Sequence, residues 1–188
     1  MLIGFSGLPR SGKTTASGIV SSIVRRAGKT PFVMSFASPI KKMLLSMGVP
    51  HSNLYTSMYK DEAIGFLNGR TARELMQTLG TEWGRSMVCS DIWVRLSVYE
   101  ADSYINNGDT VIYDDVRFVD EADAIRKRGG ILIKVEKRGD VSNGHSSDSA
   151  LRGYEFDEVV YNDGDKKDLE EKINDIISRI RSPLSPLS

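Results

Sequence analysis

Short runs of consecutive apolar residues alternate along this chain with segments whose apolar positions recur every three or four residues. That alternation predicts strands interleaved with helices in an α/β fold. Leu2 to Phe5 is a short apolar strand ending at Ser6-Gly7. From Thr14, apolar residues recur at Ala16, Ile19, Val20, Ile23, Val24 and Ala27, one helical stripe closed by Gly28. Phe32 to Phe36 reads as a second strand, and Ser38-Pro39 supplies an N-cap and a first-turn proline for a helix to about Met47. The stretch from about 49 to 108 is helical and less regular. Within it, Thr71-Ala72-Arg73-Glu74 has capping-box spacing, and Leu75, Met76 and Leu79 follow at helical intervals before Gly80. A longer helix starts near Asp91, carries Ile92, Leu96 and Tyr99 on one face, and stops by Asn107-Gly108.

The last third repeats the alternation. Thr110–Tyr113, Ile131–Val135 and Val159–Tyr161 read as strands, with a short helix from Asp120 to Lys127 ended by Gly129-Gly130. A polar stretch runs from Lys137 to Gly153, and a final helix buries Leu169, Ile173, Ile176, Ile177 and Ile180. The Ser/Pro-rich tail 182–188 cannot continue that helix and is expected to be disordered. The expectation is one three-layer domain over 1–181 around a mostly parallel five-stranded sheet, with no internal repeat.

Composition narrows the partners. At 188 residues the chain is long enough to bury a core without disulfides or structural metal. Lys+Arg and Asp+Glu both total 25, so the basic excess expected of a nucleic-acid or anionic-membrane binder is missing. Cys89 is the single cysteine, which suits a reducing cytosol. No apolar run reaches the length of a membrane span, and the first residues lack the pattern of a secretory signal. A soluble, cytoplasmic protein is expected.

The candidate chemistry begins at residue 7. Gly7-Leu8-Pro9-Arg10-Ser11-Gly12-Lys13-Thr14 matches G-x-x-x-x-G-K-[ST] in full and lies between a predicted strand and a predicted helix. Glycines let successive N–H groups turn inward around phosphate oxygens, and the helix N-terminus adds its positive end. Gly7, Arg10, Ser11, Gly12, Lys13, Thr14 and Thr15 are therefore the expected ATP phosphate-binding set, with Lys13 on the β- and γ-phosphates and the Thr14 hydroxyl on Mg²⁺. A P-loop serves kinases, switches and motors alike, so a second carboxylate must decide the reaction. Asp114-Asp115-Val116-Arg117 follows the strand Val111–Tyr113, where an Asp can hold Mg²⁺ through water or orient an acceptor oxygen. Strand alternation suggests that one of the two faces inward without saying which. Arg117 can reach a phosphate from the same loop.

Lys41, Lys42, Arg70, Arg73, Arg85 and Arg95 are interleaved with Tyr55, Tyr59, Trp83 and Trp93 in the helical middle. Arginine forks grip phosphates and aromatic faces stack bases, although ordinary amphipathic-helix roles suit each of these residues singly. Taken together and in order, five segments resemble the bacteriophage deoxynucleoside monophosphate kinases across nearly the whole chain. They are the P-loop, Ser35–Lys41, the Gln77-Thr-Leu-Gly80-Thr-Glu-Trp83-Gly-Arg85 run with Arg73 before it, Asp91-Ile-Trp93, and Asp115-Val-Arg117-Phe118 with Glu121-Ala122. The resemblance implies a P-loop kinase fold with a helical acceptor-binding insertion at about 38–108, a lid at about 137–153, and γ-phosphate transfer from ATP to a deoxynucleoside monophosphate. It implies acceptor roles for Lys41, Arg73, Gln77, Arg85 and Trp93, and catalytic roles for Lys13, Asp115, Arg117 and Arg138. The lid reads His145-Ser-Ser-Asp148, with Asp where Glu is more usual, and the acid is assigned no role. Asn162-Asp163-Gly164-Asp165 lacks the spaced Gly and terminal Glu of a calcium loop and reads as a turn. By the resemblance it would lie near the adenine. Competing readings are another small-molecule kinase of the dephospho-coenzyme A kinase type, a nucleotide-binding switch, or a DNA-linked ATPase. The sequence contains no guanine-recognition N-K-x-D motif, and its neutral balance argues against stable nucleic-acid binding. A homodimer is compatible with the sequence, which does not decide it.

Overall fold

The structure, a computed structural model, describes residues 1–137 and 151–181. Arg138, His145 and Asp148, most of the expected lid, and the tail 182–188 lie outside the described residues. The chain runs through β1 (Leu2–Ser6), α1 (Lys13–Arg26), β2 (Pro31–Met34), α2 (Ser38–Ser46), α3 (His51–Tyr55), β3 (Ala63–Ile64), β4 (Arg70–Thr71) and α4 (Ala72–Gln77). A wide-turn helical segment (Thr78–Val88) follows, then α5 (Ile92–Asn106), β5 (Thr110–Tyr113), α6 (Val119–Arg126), β6 (Ile131–Glu136), β7 (Glu158–Tyr161) and α7 (Lys166–Arg181). These elements form two compact units, Met1–Ser35 with Ala101–Ser188, and Phe36–Glu100.

The first unit is built on a five-stranded sheet in the order β2-β5-β1-β6-β7, with every pairing parallel. Parallel sheets are covered on both faces, which is why β1 and β5 are apolar and buried along their whole lengths. Ile3, Phe5, Ile112, Ile133 and Val135 point to one face and pack against Ala16, Ile19, Val20 and Val24 of α1 and Leu169, Ile173, Ile176 and Ile177 of α7. Ala122 and Ile125 of α6 are buried as well. From β1 the chain moves outward to β2, returns to insert β5 beside β1, and then continues on β1's other side as β6. The carboxyl end of β1 is thus the topological switch point, where open α/β sheets bind ligands.

The second unit has its own core of Ile40, Leu44, Val49, Leu54, Ile64, Ala72 and Trp93, with a small antiparallel β3–β4 ladder. Two expectations from the sequence change here. The helix with the Thr71 capping box does not stop before Gly80 but continues with widened turns to Val88, where the Cys89 N–H reaches back five residues to the Gly84 carbonyl at 2.9 Å. The reason is packing. The Trp93 indole N–H donates to the Gly80 carbonyl at 2.7 Å, and a Cβ on Gly84 would lie 2.3–2.7 Å from three atoms of the same ring. Gly84 leaves room for the buried ring, while a Cβ on Gly80 would meet Ile40 Cδ1 at 3.1 Å. The second change concerns α5, whose buried stripe is Trp93, Val94, Ser97, Val98 and Ala101, while Leu96 and Tyr99 face outward. Among the described residues, no helix is long and apolar enough to cross a membrane.

Candidate active site

The β1–α1 turn is shaped by positions that only glycine fills. Gly7 has φ +148°, and a Cβ there would sit 2.1 Å from the Val135 carbonyl oxygen on the neighbouring strand. Gly12, with φ +109°, caps α1 without any side-chain cap, and the first turn carries no acidic residue. The N–H groups of the first turn, which have no intrahelical acceptor, and the helix dipole therefore favour an anion. Thr14 and Thr15 are exposed on that first turn, Arg10 is exposed in the loop, and Ser11 is buried with a hydroxyl that meets no partner among the described residues.

Lys13 is the side chain that spans the loop. Its Nζ donates to the Gly7 and Leu8 carbonyls at 2.7 and 2.9 Å, and lies 3.7 Å from Asp115 Oδ1. Asp115 is thus a carboxylate placed beside the loop lysine. Its other oxygen accepts from Arg117 Nε at 2.7 Å, making a Lys13–Asp115–Arg117 chain of charge at the carboxyl ends of β1 and β5. The segment that holds Asp115 is fixed at several points. The Asp114 N–H donates to the Met34 carbonyl and the Val116 N–H to the Phe5 carbonyl, at 3.2 and 2.8 Å. Glu121, buried at the start of α6, accepts from the Arg117 and Phe118 N–H groups at 2.8 and 3.2 Å. Glu121 is thus an anchor for the acidic loop, its carboxylate reaching back to two backbone N–H groups at the start of α6.

In the second unit, Arg73 and Gln77 sit four residues apart on the exposed face of α4, so they project from one side. Arg73 makes a two-pronged contact with Asp61, at 2.5 and 3.0 Å. Hydrogen bonding to Asp61 raises the Arg73 pKa, and the same contact holds the Asp61 carboxyl below its usual range. Arg85 donates to the Ser90 carbonyl at 3.2 Å, and the Lys41 ammonium stands 4.5 Å above the Tyr55 ring. Trp93, expected from the resemblance among the base contacts, is only 2% exposed and clamps the 80–84 backbone, whereas Trp83 is half-exposed. Next to it, Asp91 accepts from Arg95 Nε at 2.8 Å and from the Cys89 thiol at 2.7 Å. These two bonds, Arg95 first, pull the Asp91 carboxyl down to about 2.

One contributor escapes any local reading of the sequence. Asn162, in the turn after β7, donates from its side-chain amide to the Ser11 carbonyl at 2.7 Å, joining positions 151 residues apart.

Comparison with known proteins agrees with this architecture. The chain resembles solved P-loop kinases in fold, with TM-scores of 0.56 for the APS kinase of Mycobacterium tuberculosis and 0.52 for the dephospho-CoA kinase of Campylobacter jejuni. Sequence identities there are 14% and 12%, and coverage is 96% and 97% of this chain and the first structure, and 95% and 96% for the second. A putative deoxynucleotide monophosphate kinase of Acanthamoeba polyphaga mimivirus is 32% identical over 192 residues, spanning 95% of each chain. The deoxynucleotide monophosphate kinase of Escherichia phage RB69 is 33% identical over 62% of this chain, which spans about half (49%) of that relative's length. The family model for deoxynucleotide monophosphate kinase matches residues 54–173. With a near-full-length relative and most of its length matched by that model, the chain belongs to the deoxynucleotide monophosphate kinase family.

Proposed function

We propose that the protein transfers the γ-phosphate of ATP to the 5′-phosphate of a deoxynucleoside monophosphate, giving ADP and the deoxynucleoside diphosphate. The observation that carries this reading is the Lys13–Asp115 pair, 3.7 Å apart beside an anion-favouring helix start at the sheet's switch point. Family membership narrows the acceptor.

In the transfer, an oxygen of the acceptor phosphate attacks the γ-phosphorus as its bond to the β–γ bridging oxygen breaks. A phosphate monoester is already largely ionised near neutral pH, so no general base is needed. The protein's task is to position two anions and to offset their charge. P-loop N–H groups hold the β- and γ-phosphates. Lys13, released from the Gly7 and Leu8 carbonyls, moves its charge onto the transferring group. Hard oxygen donors suit Mg²⁺, which takes few protein ligands when it rides on substrate phosphates. The exposed Thr14 hydroxyl and the Asp115 carboxylate fit that role, Asp115 through water. When bound, the ion withdraws charge from the β- and γ-phosphate oxygens. Arg117 and Arg138 offset the remaining negative charge.

In the second unit, Arg73, Arg85 and Lys41 are the proposed grip on the acceptor phosphate, and Gln77 the contact to its base. Trp93 acts from beneath, holding the 80–85 backbone in place. The reading places the protein in the cytoplasm, where its substrates are made and Cys89 stays a thiol. Initial rates with Mg-ATP and each of the four common deoxynucleoside monophosphates, beside their ribose counterparts, test it. At least one deoxynucleotide should show a higher kcat/KM than its ribonucleotide. Equal values for every matched pair would defeat the deoxy assignment, and no acceptor-dependent ADP at all would defeat the kinase reading.

A further inference from the structure

The turn 162–165 has no part in the transfer described above, yet its first residue reaches the phosphate loop. The Asn162 amide Nδ2 donates to the Ser11 carbonyl at 2.7 Å. Its own backbone N–H donates to the Glu136 carbonyl at 2.7 Å, at the end of β6. The fit against the loop is close. A Cβ on Gly12 would lie 2.3 Å from the same Nδ2 atom, so the amide packs directly on the glycine.

The consequence follows from peptide geometry. The Ser11–Gly12 peptide is planar and trans, so its carbonyl and its N–H point in opposite directions. Fixing the Ser11 carbonyl toward Asn162 therefore turns the Gly12 N–H away from Asn162. Among the described residues that N–H meets no acceptor, and it stands one residue before Lys13. With φ at +109°, Gly12 has the backbone freedom to let this peptide rotate, and nothing else in the loop grips the Ser11 carbonyl. The buried Ser11 hydroxyl does not brace it, since that oxygen has no partner either.

We propose that Asn162 is a positioning residue for ATP, holding the Ser11–Gly12 peptide so that the Gly12 N–H faces the triphosphate. The inference rests on the ATP-binding half of the function above and is independent of the acceptor's identity. Asn162→Ala removes the donor. Asn162→Asp keeps the shape, presents a carboxylate to a carbonyl oxygen, and serves where the smaller side chain disturbs folding. Both variants should raise the Kd and KM for ATP by about ten-fold or more, the effect of losing one well-aimed donor to a charged group. The KM for the acceptor should stay within two-fold (about the noise of such a comparison), because the second unit is untouched. In ¹H–¹⁵N spectra, the Gly12 amide of the wild type should shift strongly when ATP is added, and that shift should shrink in Asn162→Asp. Wild-type ATP affinity in both variants, whatever their Tm, would overturn the proposal and leave Asn162 a structural tie. A rise in acceptor KM equal to that for ATP would also overturn it. Failure of the wild-type protein itself to bind ATP would instead sink the parent reading, so the two failures are told apart.

Discussion

Replacing Gly84 with alanine tests whether the Gly80–Gly84 run is a seat for Trp93. The new Cβ would lie 2.3, 2.6 and 2.7 Å from Cζ2, Cε2 and Nε1 of the ring, against an ordinary contact of about 3.5–4 Å. Something must move by about an ångström, and the ring has little room. It is buried in the second unit's core and tied by its Nε1 to the Gly80 carbonyl. Overpacking of this kind costs about 1–3 kcal/mol, and loosening the indole hydrogen bond about 0.5–1.5 kcal/mol more. The gain in helix propensity returns about 1 kcal/mol. The net loss of about 0.5–3.5 kcal/mol corresponds to a fall in Tm of about 1–14 °C for a chain of this size. Gly18→Ala is the matched control, since it lies inside α1 and a Cβ there meets nothing within 4 Å. Thermal unfolding followed by circular dichroism should show Gly18→Ala at or above wild type and Gly84→Ala well below it. In a Trp93→Phe background the Gly84→Ala penalty should shrink, because the smaller ring vacates the contested space. A Gly84→Ala variant as stable as wild type would refute the packing argument.

Lys13→Ala should cut kcat by about a hundred-fold or more with far-UV circular dichroism unchanged, since the charge acts on the transferring phosphate. Near-normal turnover would remove Lys13 from the mechanism. Truncating Arg73 or Arg85 to alanine should lower kcat/KM for the acceptor by about ten- to a hundred-fold with ATP binding intact, read by isothermal titration. A matching loss of ATP affinity would place them elsewhere. The Asp91 carboxyl falls from 3.8 to about 2 in the folded chain, so its contribution to stability is complete above the higher value and vanishes as pH drops through the lower one. Asp91→Asn should therefore lower Tm at pH 7 by more than at pH 2.5, and a pH-independent difference would contradict the pairing with Arg95 and Cys89.

The parts of this protein legible in its sequence are those governed by neighbours in the chain. The strand, loop and helix over 2–26 could be read directly, because the glycine positions, the lysine and the apolar stripe are local constraints. The parallel sheet followed from the uninterrupted apolar runs at β1 and β5. The widened turns beyond Gly80 left no period to read, because they are shaped by Trp93, whose indole bonds the Gly80 carbonyl thirteen residues back. The α5 stripe was misread because Leu96 and Tyr99 are the large residues, and the buried face is made with the smaller Ser97, Val98 and Ala101. The ladder of two-residue strands β3 and β4 is too short to leave a period. At the site, the placement of Asp115 beside Lys13 depends on how the chain after β5 is pinned to its neighbours, and Asn162 reaches the loop across 151 positions of chain. No pattern within either segment announces that contact.

The most direct test of the central claim follows the phosphorus itself. ATP labelled at the γ-phosphate, Mg²⁺ and a single deoxynucleoside monophosphate are incubated with the protein and the products separated. The account predicts that the label moves into the deoxynucleoside diphosphate in one-to-one ratio with the ADP formed, and that Lys13→Ala slows the transfer by about a hundred-fold or more. Label appearing only as inorganic phosphate, at a rate indifferent to the acceptor, would contradict it.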